Sequence, residues 1–134
     1  MSEEQQIIKA GKEIEASNVQ EWARKQPASA AVYTNAEFPP EVKSIYPKVK
    51  GSATSGPDAI SVVPGKGGTG EITVFDTTTK PTSEHSAKTR GDAQKLKDNL
   101  PERWKDYSVY YQEGWSDGGH QFSPRMKLQP RPRH

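Results

Sequence analysis

The stretch GPDAISVVPGKGGTGEITVFDTTTKP, residues 56–81, constrains this chain more than any other. Two short runs rich in Ile, Val, Phe and Thr flank PGKGGTG, a Gly- and Pro-rich turn. Such a pattern predicts a β-hairpin with strands over about 58–63 and 71–78. Pairing Val63 with Glu71 aligns Val62 with Ile72, Ser61 with Thr73, Ile60 with Val74, Ala59 with Phe75, and Asp58 with Asp76. Side chains alternate along a strand, so Asp58, Ile60 and Val62 then share a face with Ile72, Val74 and Asp76. Two carboxylates therefore close one end of an apolar face. Opposed side chains have Cβ atoms about 4.5–5.5 Å apart, and like charges there are destabilising. Either one Asp is protonated with a raised pKa, or a cation bridges the pair. A hard divalent ion such as Mg²⁺ suits carboxylate oxygens. A slip of one residue would turn Asp76 to the other face, and Asp also ends strands for no functional reason.

The elements around the hairpin follow from periodicity and punctuation. Ile7, Ile8, Gly11, Ile14, Val19, Trp22 and Ala23 recur at helical spacing, which predicts a helix over about 3–26, ended by Pro27. AAVYT, residues 30–34, reads as a short strand, and residues 35–56 as an irregular stretch rich in Pro and turn formers. A second helix is expected from Ser83 to about Asn99, capped by Thr82 or Ser83 and stopped before Pro101. DYSVYYQEGW supplies a further strand, with Tyr107, Val109 and Tyr111 on one face and Ser108, Tyr110 and Gln112 on the other. The order α-β-β-β-α-β implies an α/β (α+β) fold, a small mixed sheet flanked by helices.

With 134 residues, 31% hydrophobic and 27% charged, the chain fits one domain with a thin core. We expect that domain over residues 1–115. Residues 116–134, rich in Gly and Pro and basic at SPRMKLQPRPRH, read as a flexible tail. There is no Cys, so neither disulfides nor thiolate metal sites exist. No apolar run approaches the roughly 18 residues that span a membrane. The polar start MSEEQQIIKAGKE is not a secretory signal peptide. A net charge of +2 does not by itself announce nucleic-acid binding.

Other charged residues extend the carboxylate pair. Glu15 falls in the apolar arc of the first helix, where an ionised carboxylate needs a positive partner or an edge. The competing assignment is a salt bridge at the helix end. Lys80 follows Asp76 by four residues, and His85 and Lys88 share a face of the second helix. Asp92, four beyond Lys88, can pair with it. A lysine beside a metal-bound water can position that water or stabilise developing phosphorane charge; a solvated helix lysine is the bland counterpart. GKGGTG lacks the order of a phosphate loop and no helix follows it. His85, His120 and His134 are too scattered for a zinc site.

Glu15 on an early helix, Pro57-Asp58 opening a strand, Asp76 ending the next, then a helix and a strand: this succession resembles the PD-(D/E)XK nuclease superfamily over about residues 5–113. The stretch GPDAI…ITVFDTTTKPTSEHSAKT looks like nuclease domains at the C-termini of bacterial polymorphic toxins, with Asp-x-Thr after the third strand and a His and Lys on the next helix. The resemblance implies a restriction-endonuclease-like core and metal ligation by Glu15, Asp58 and Asp76. It departs from the family at Thr78, where a lysine usually stands, so that Lys80 or Lys88 has to supply the charge.

These observations set up a Mg²⁺- or Mn²⁺-dependent endonuclease hydrolysing phosphodiester bonds, DNA before RNA, with little sequence specificity. Its catalytic residues would be Glu15, Asp58, Asp76, Lys80, His85 and Lys88, with His85 at the leaving oxygen or on a phosphate. Lys66 and Arg90 would hold the backbone. The resemblance further implies an antibacterial toxin or effector domain acting in the cytoplasm, secreted or injected without a signal peptide, with a cognate immunity protein and no membrane partner. The alternative from another class is a non-catalytic interaction module on a nuclease-like scaffold, using Trp104, Tyr107, Tyr110, Tyr111 and Trp115 as anchors.

Overall fold

The computed structural model describes residues 16–47 and 56–128. A helix, α1, occupies residues 16–24. It ends where Lys25 and Gln26 donate their backbone N–H groups to the carbonyls of Trp22 and Ala23, just before Pro27. The part of the expected helix before residue 16 lies outside the described residues. Next come strand β1 (Ala31–Thr34), the 3₁₀ turn Asn35–Glu37 and the short helix α2 (Pro40–Lys43). The hairpin follows as β2 (Ala59–Pro64) and β3 (Gly70–Thr77). Helix α3 (Ser83–Asp98) and strand β4 (Ser108–Ser116) complete the expected order.

The fold is mixed α/β, as expected. Among the described residues the sheet has six strands in the order β1-β2-β3-β4-β5, with β6 also on β4. β1, β2 and β3 form an antiparallel meander, while β3 and β4 run parallel. A parallel neighbour requires a crossover, and α3 provides it. The hairpin register is the one expected: Ala59 faces Phe75, Ile60 faces Val74, Ser61 faces Thr73, Val62 faces Ile72 and Val63 faces Glu71. The turn between these strands uses Gly67 (φ 66°) and Gly68 (φ 78°), backbone that only Gly adopts readily.

Alternation divides the apolar residues between two faces. Ile60, Val62, Ile72, Val74 and Val109 pack with Ala93 and Leu96 of α3, with Val42 of α2, and with Phe38, Ile45, Tyr46, Trp104 and Tyr107. On the opposite face Ala59 and Phe75 meet Trp22 of α1, with Val19, Val32 and Phe122 at the margin. Trp22 stacks on Phe75 with ring centroids 4.5 Å apart. Helices thus cover both faces of the sheet. Among the described residues most of the large apolar side chains sit in or against these two layers.

Two expectations need correction. The stretch 35–56, expected to be irregular, contains α2, with Pro40 at its first position and Val42 fully buried. Proline breaks a helix in its interior, yet at the first helical position its missing N–H costs nothing and its φ is preset. The expected tail from residue 116 contains β5 (His120–Phe122) and β6 (Met126–Lys127), both antiparallel to β4. Gly118 (φ 67°) and Gly119 (φ 150°) make the turn into β5. Three-residue and two-residue strands are too short to show alternation, so the Gly and Pro around them dominate the composition. No helix among the described residues is long and apolar enough to cross a membrane.

Candidate active site

The ends of β2 and β3 farthest from the hairpin turn carry the two aspartates. Asp58 stands just before β2. Its backbone N–H donates to Phe75 O (3.1 Å), and its carbonyl accepts from Asn35 N (2.9 Å). Asn35 Nδ2 also donates to Pro57 O (3.0 Å), so the turn after β1 clamps Pro57-Asp58 in place. The Asp58 carboxylate turns towards β3, where Oδ2 accepts from both the backbone N–H and the Oγ1–H of Thr77, each at 2.8 Å.

Asp76 is 4% exposed and lies on the face of Ile72 and Val74, the one that α3 covers. Its carboxyl is pushed up to about 8, first by burial, then by the hydrogen bond and charge of Asp58, against the pull of Lys88. Near neutral pH Asp76 is therefore favoured in its protonated form. Lys88, one turn into α3, reaches down to Asp76 Oδ2 (2.8 Å) and sideways to Asp92 Oδ2 (3.1 Å). Burial opposes the charge of this ammonium, but Asp76 and Asp92 outweigh it and hold the Lys88 pKa above its ordinary value. The Tyr46 hydroxyl donates to the Asp92 carbonyl. Its own pKa is raised, by burial and then by Asp92 and Asp76, so it stays a donor.

A second acid–base pair lies beside the first. Glu113 on β4 is the register partner of Asp76 on β3 and is buried. One of its carboxylate oxygens meets His85 Nδ1, and the other accepts from Ser86 Oγ (2.5 Å). His85 and Ser86 belong to the first turn of α3, whose N-cap Thr82 accepts from His85 N. Lys88 over β3 and His85 over β4 thus place two cationic or polar side chains of one helix face on two acids of adjacent strands. The group stands at the carboxyl ends of the parallel pair, where open α/β sheets commonly hold ligands.

The structure brings together Asp58, Asp76 and Lys88, and sets His85 next to them on Glu113. Lys80 lies exposed in the loop after β3, and among the described residues its ammonium makes no ion pair. Lys66 belongs to the turn Lys66–Gly68 at the far end of the hairpin, which removes it from any backbone contact at this site. Arg90 is exposed on α3. The Glu15 position lies outside the described residues. Trp104 and Tyr107 are buried in the core, so they are not surface anchors.

Sequence reasoning missed Thr77, Ser86 and Glu113. Glu113 left a signal: it falls in alternation with Val109 and Tyr111, an acid on the apolar face of its strand, as Asp76 is on β3. Thr77 could not be found by alternation, because it reaches Asp58 by a diagonal contact.

Two adjacent carboxyls, one of them buried, offer oxygen donors of the kind that a hard divalent cation takes. Mg²⁺ is usually bound by one or two carboxylates with waters and substrate phosphates completing the shell. Asp58 and Asp76 meet that requirement, although among the described residues no group of three or more Asp, Glu or His side chains is arranged to hold a metal. No family model, curated protein or solved structure matches the chain.

Proposed function

We propose that this protein is a divalent-cation-dependent nuclease acting at the rim formed by Asp58, Asp76 and Lys88. The observation that carries the proposal is the buried Asp76 carboxyl, driven to about 8 by burial and by Asp58 while an ammonium stands 2.8 Å away. Burying such a pair is costly to stability, and strongly perturbed carboxyls cluster at functional sites. Asp58 and Asp76 would hold Mg²⁺ or Mn²⁺. When bound, that ion would lower the pKa of a water and polarise a phosphoryl oxygen.

The chain's own residues supply the rest. Thr77 fixes the Asp58 carboxylate through two donors, so the ligand pair is preorganised. Lys88 takes the place of the lysine absent at Thr78: from α3 it brings a positive charge to Asp76, where it stabilises negative charge developing on a phosphate. Its half-exposed side chain, 53% accessible, leaves it reachable from solvent. Phosphate contacts carry no sequence information, so cleavage is expected to be sequence-tolerant, on DNA first. A delivered antibacterial effector with a cognate inhibitory protein is the matching biological role, which rests on the resemblance of the motif in residues 56–89 to toxin nuclease domains.

The test is cleavage of plasmid DNA and of a structured RNA with Mg²⁺, with Mn²⁺ and with chelator. We expect nicking of DNA that the chelator stops and that Asp76→Ala abolishes. Undiminished cleavage by Asp76→Ala, or cleavage in chelator, overturns the proposal.

A further inference from the structure

Glu113 is a buried acid to which the mechanism above gives no task. It lies on β4, in register with Asp76, and spends one oxygen on His85 Nδ1 and the other on Ser86 Oγ. Its backbone N–H is also held, by Ser123 Oγ at 2.9 Å. An ionised carboxylate can only accept hydrogen bonds. The Nδ1 atom of His85 must therefore carry the hydrogen, and Ser86 leaves the carboxylate no freedom to rotate away. The second ring nitrogen, Nε2, is then the one left for a substrate. The His85 side chain is 19% exposed, while Glu113 is 6% exposed: a reachable imidazole on a buried support. Among the described residues neither His85 nor Glu113 bonds to Asp58 or Asp76, so the pair is a separate unit at the same rim.

We propose that His85 is the proton donor to the leaving oxygen of the phosphodiester, and that Glu113 is the residue that positions it. This rests on the nuclease reading above. In the step, the oxygen of water bonds to phosphorus and the bond from phosphorus to the leaving oxygen breaks. The proton on His85 Nε2 passes to that leaving oxygen, and the proton shed by the attacking water passes to solvent. His85 keeps its Nδ1 hydrogen on Glu113 throughout and regains its Nε2 proton from solvent. An imidazole held by a carboxylate at one nitrogen and working through the other is a recurrent solution to general acid–base catalysis.

The experiment compares two substrates on the full chain. One is a DNA oligonucleotide, whose leaving alkoxide needs a proton. The other is a thymidine p-nitrophenyl phosphodiester, whose phenolate leaves without one. His85→Gln should lower kcat on DNA by about 10²-fold or more, the usual size of a general-acid contribution, with KM little changed, and should leave the p-nitrophenyl ester near the rate of the unaltered chain. Glu113→Gln should fall in the same direction, and the double variant should be no worse than His85→Gln, since residues acting as a unit are not additive. Equal losses on both substrates, or none, overturn the role of His85. An independent readout needs no activity: at a pH where the ring is neutral, ¹⁵N spectra of His85 should show its one hydrogen on Nδ1 in the unaltered chain and a mixture of tautomers in Glu113→Gln. A neutral ring with its hydrogen on Nε2 in the unaltered chain overturns the positioning role of Glu113. If the unaltered chain cleaves nothing, the nuclease reading fails and the leaving-group role with it, while the spectra still decide whether the pair exists.

Discussion

Ile60 and Asp58 stand two residues apart at one side of the hairpin, as Val74 and Asp76 do at the other. Ile60 and Val74 are fully buried against α3. Each such side chain contributes about 1.5–3 kcal/mol by leaving water. Asp76 is almost as buried, and there the same burial acts against folding, because a carboxylate loses its hydration. What offsets it is local: the proton that Asp76 retains, the Lys88 ammonium, and the Thr77 donors that hold Asp58 in place. Two adjacent stretches of one surface thus follow opposite rules. The middle maximises apolar contact and specifies the fold. The rim accepts an electrostatic cost and specifies the chemistry.

That contrast can be broken in the middle with the largest effect. Ile72→Ala should cost about 2–5 kcal/mol in urea unfolding and leave the response to divalent cations intact. A loss confined to the cation response would mean that middle and rim are one unit. At the rim the effect depends on pH. Folded Asp76 titrates at about 8 against an ordinary value of 3.8, so folding takes up a proton between those values. Stability should therefore fall as pH rises from about 4 to about 8, by up to about 1.4 kcal/mol per pH unit for this one group. Thermal melts of Asp76→Asn should flatten that slope, and an unchanged slope would place the proton elsewhere.

A cation sharpens the comparison further, since it must displace that proton. Mg²⁺ at about 100 times its Kd at pH 8 should stabilise the fold there by about 2.7 kcal/mol, and the same concentration should raise Tm less at pH 6. A rise that Asp76→Asn retains would put the ion at another site. The smallest change belongs to Lys88→Met. The ammonium is half exposed, so its ion pair contributes no more than about 1 kcal/mol. Its removal should nevertheless move the end of the Asp76 titration to higher pH, because Lys88 is the group holding that pKa down. A shift to lower pH would contradict the assignment.

Much of the middle was legible in the residues, and so was part of the rim. The register from Ala59–Phe75 to Val63–Glu71 follows from alternation, because a slip by one would expose Ile60 and Val74. Helix α3 follows from Thr82 before it and Pro101 after it. The pairing of Lys88 with Asp92 follows from helical spacing. By contrast, Thr77 enters through a contact between strand ends and Ser86 through a helix-to-strand contact, which no single-element periodicity encodes. Glu113 is an intermediate case: alternation along β4 puts it on the apolar face, where an acid needs a partner, but not which partner it finds. Strands β5 and β6 stayed hidden because their pairing to β4 is decided by tertiary contact: Phe122 packs near Phe75 at 6.1 Å between centroids, and Arg125 lies over the Tyr110 ring at 3.9 Å. Gly114 is the matching accommodation, since a Cβ there would stand 2.6 Å from Phe75.

Direct titration with Mn²⁺, followed by the loss of its free-ion electron paramagnetic resonance signal, tests the central claim most closely. The carboxyl pair at the rim predicts that the unaltered chain takes up Mn²⁺ at pH 8, more weakly at pH 6, and that Asp58→Asn and Asp76→Asn each abolish the uptake. A chain that leaves the free-ion signal untouched at pH 8, or an Asp76→Asn variant that binds as the unaltered chain does, contradicts it.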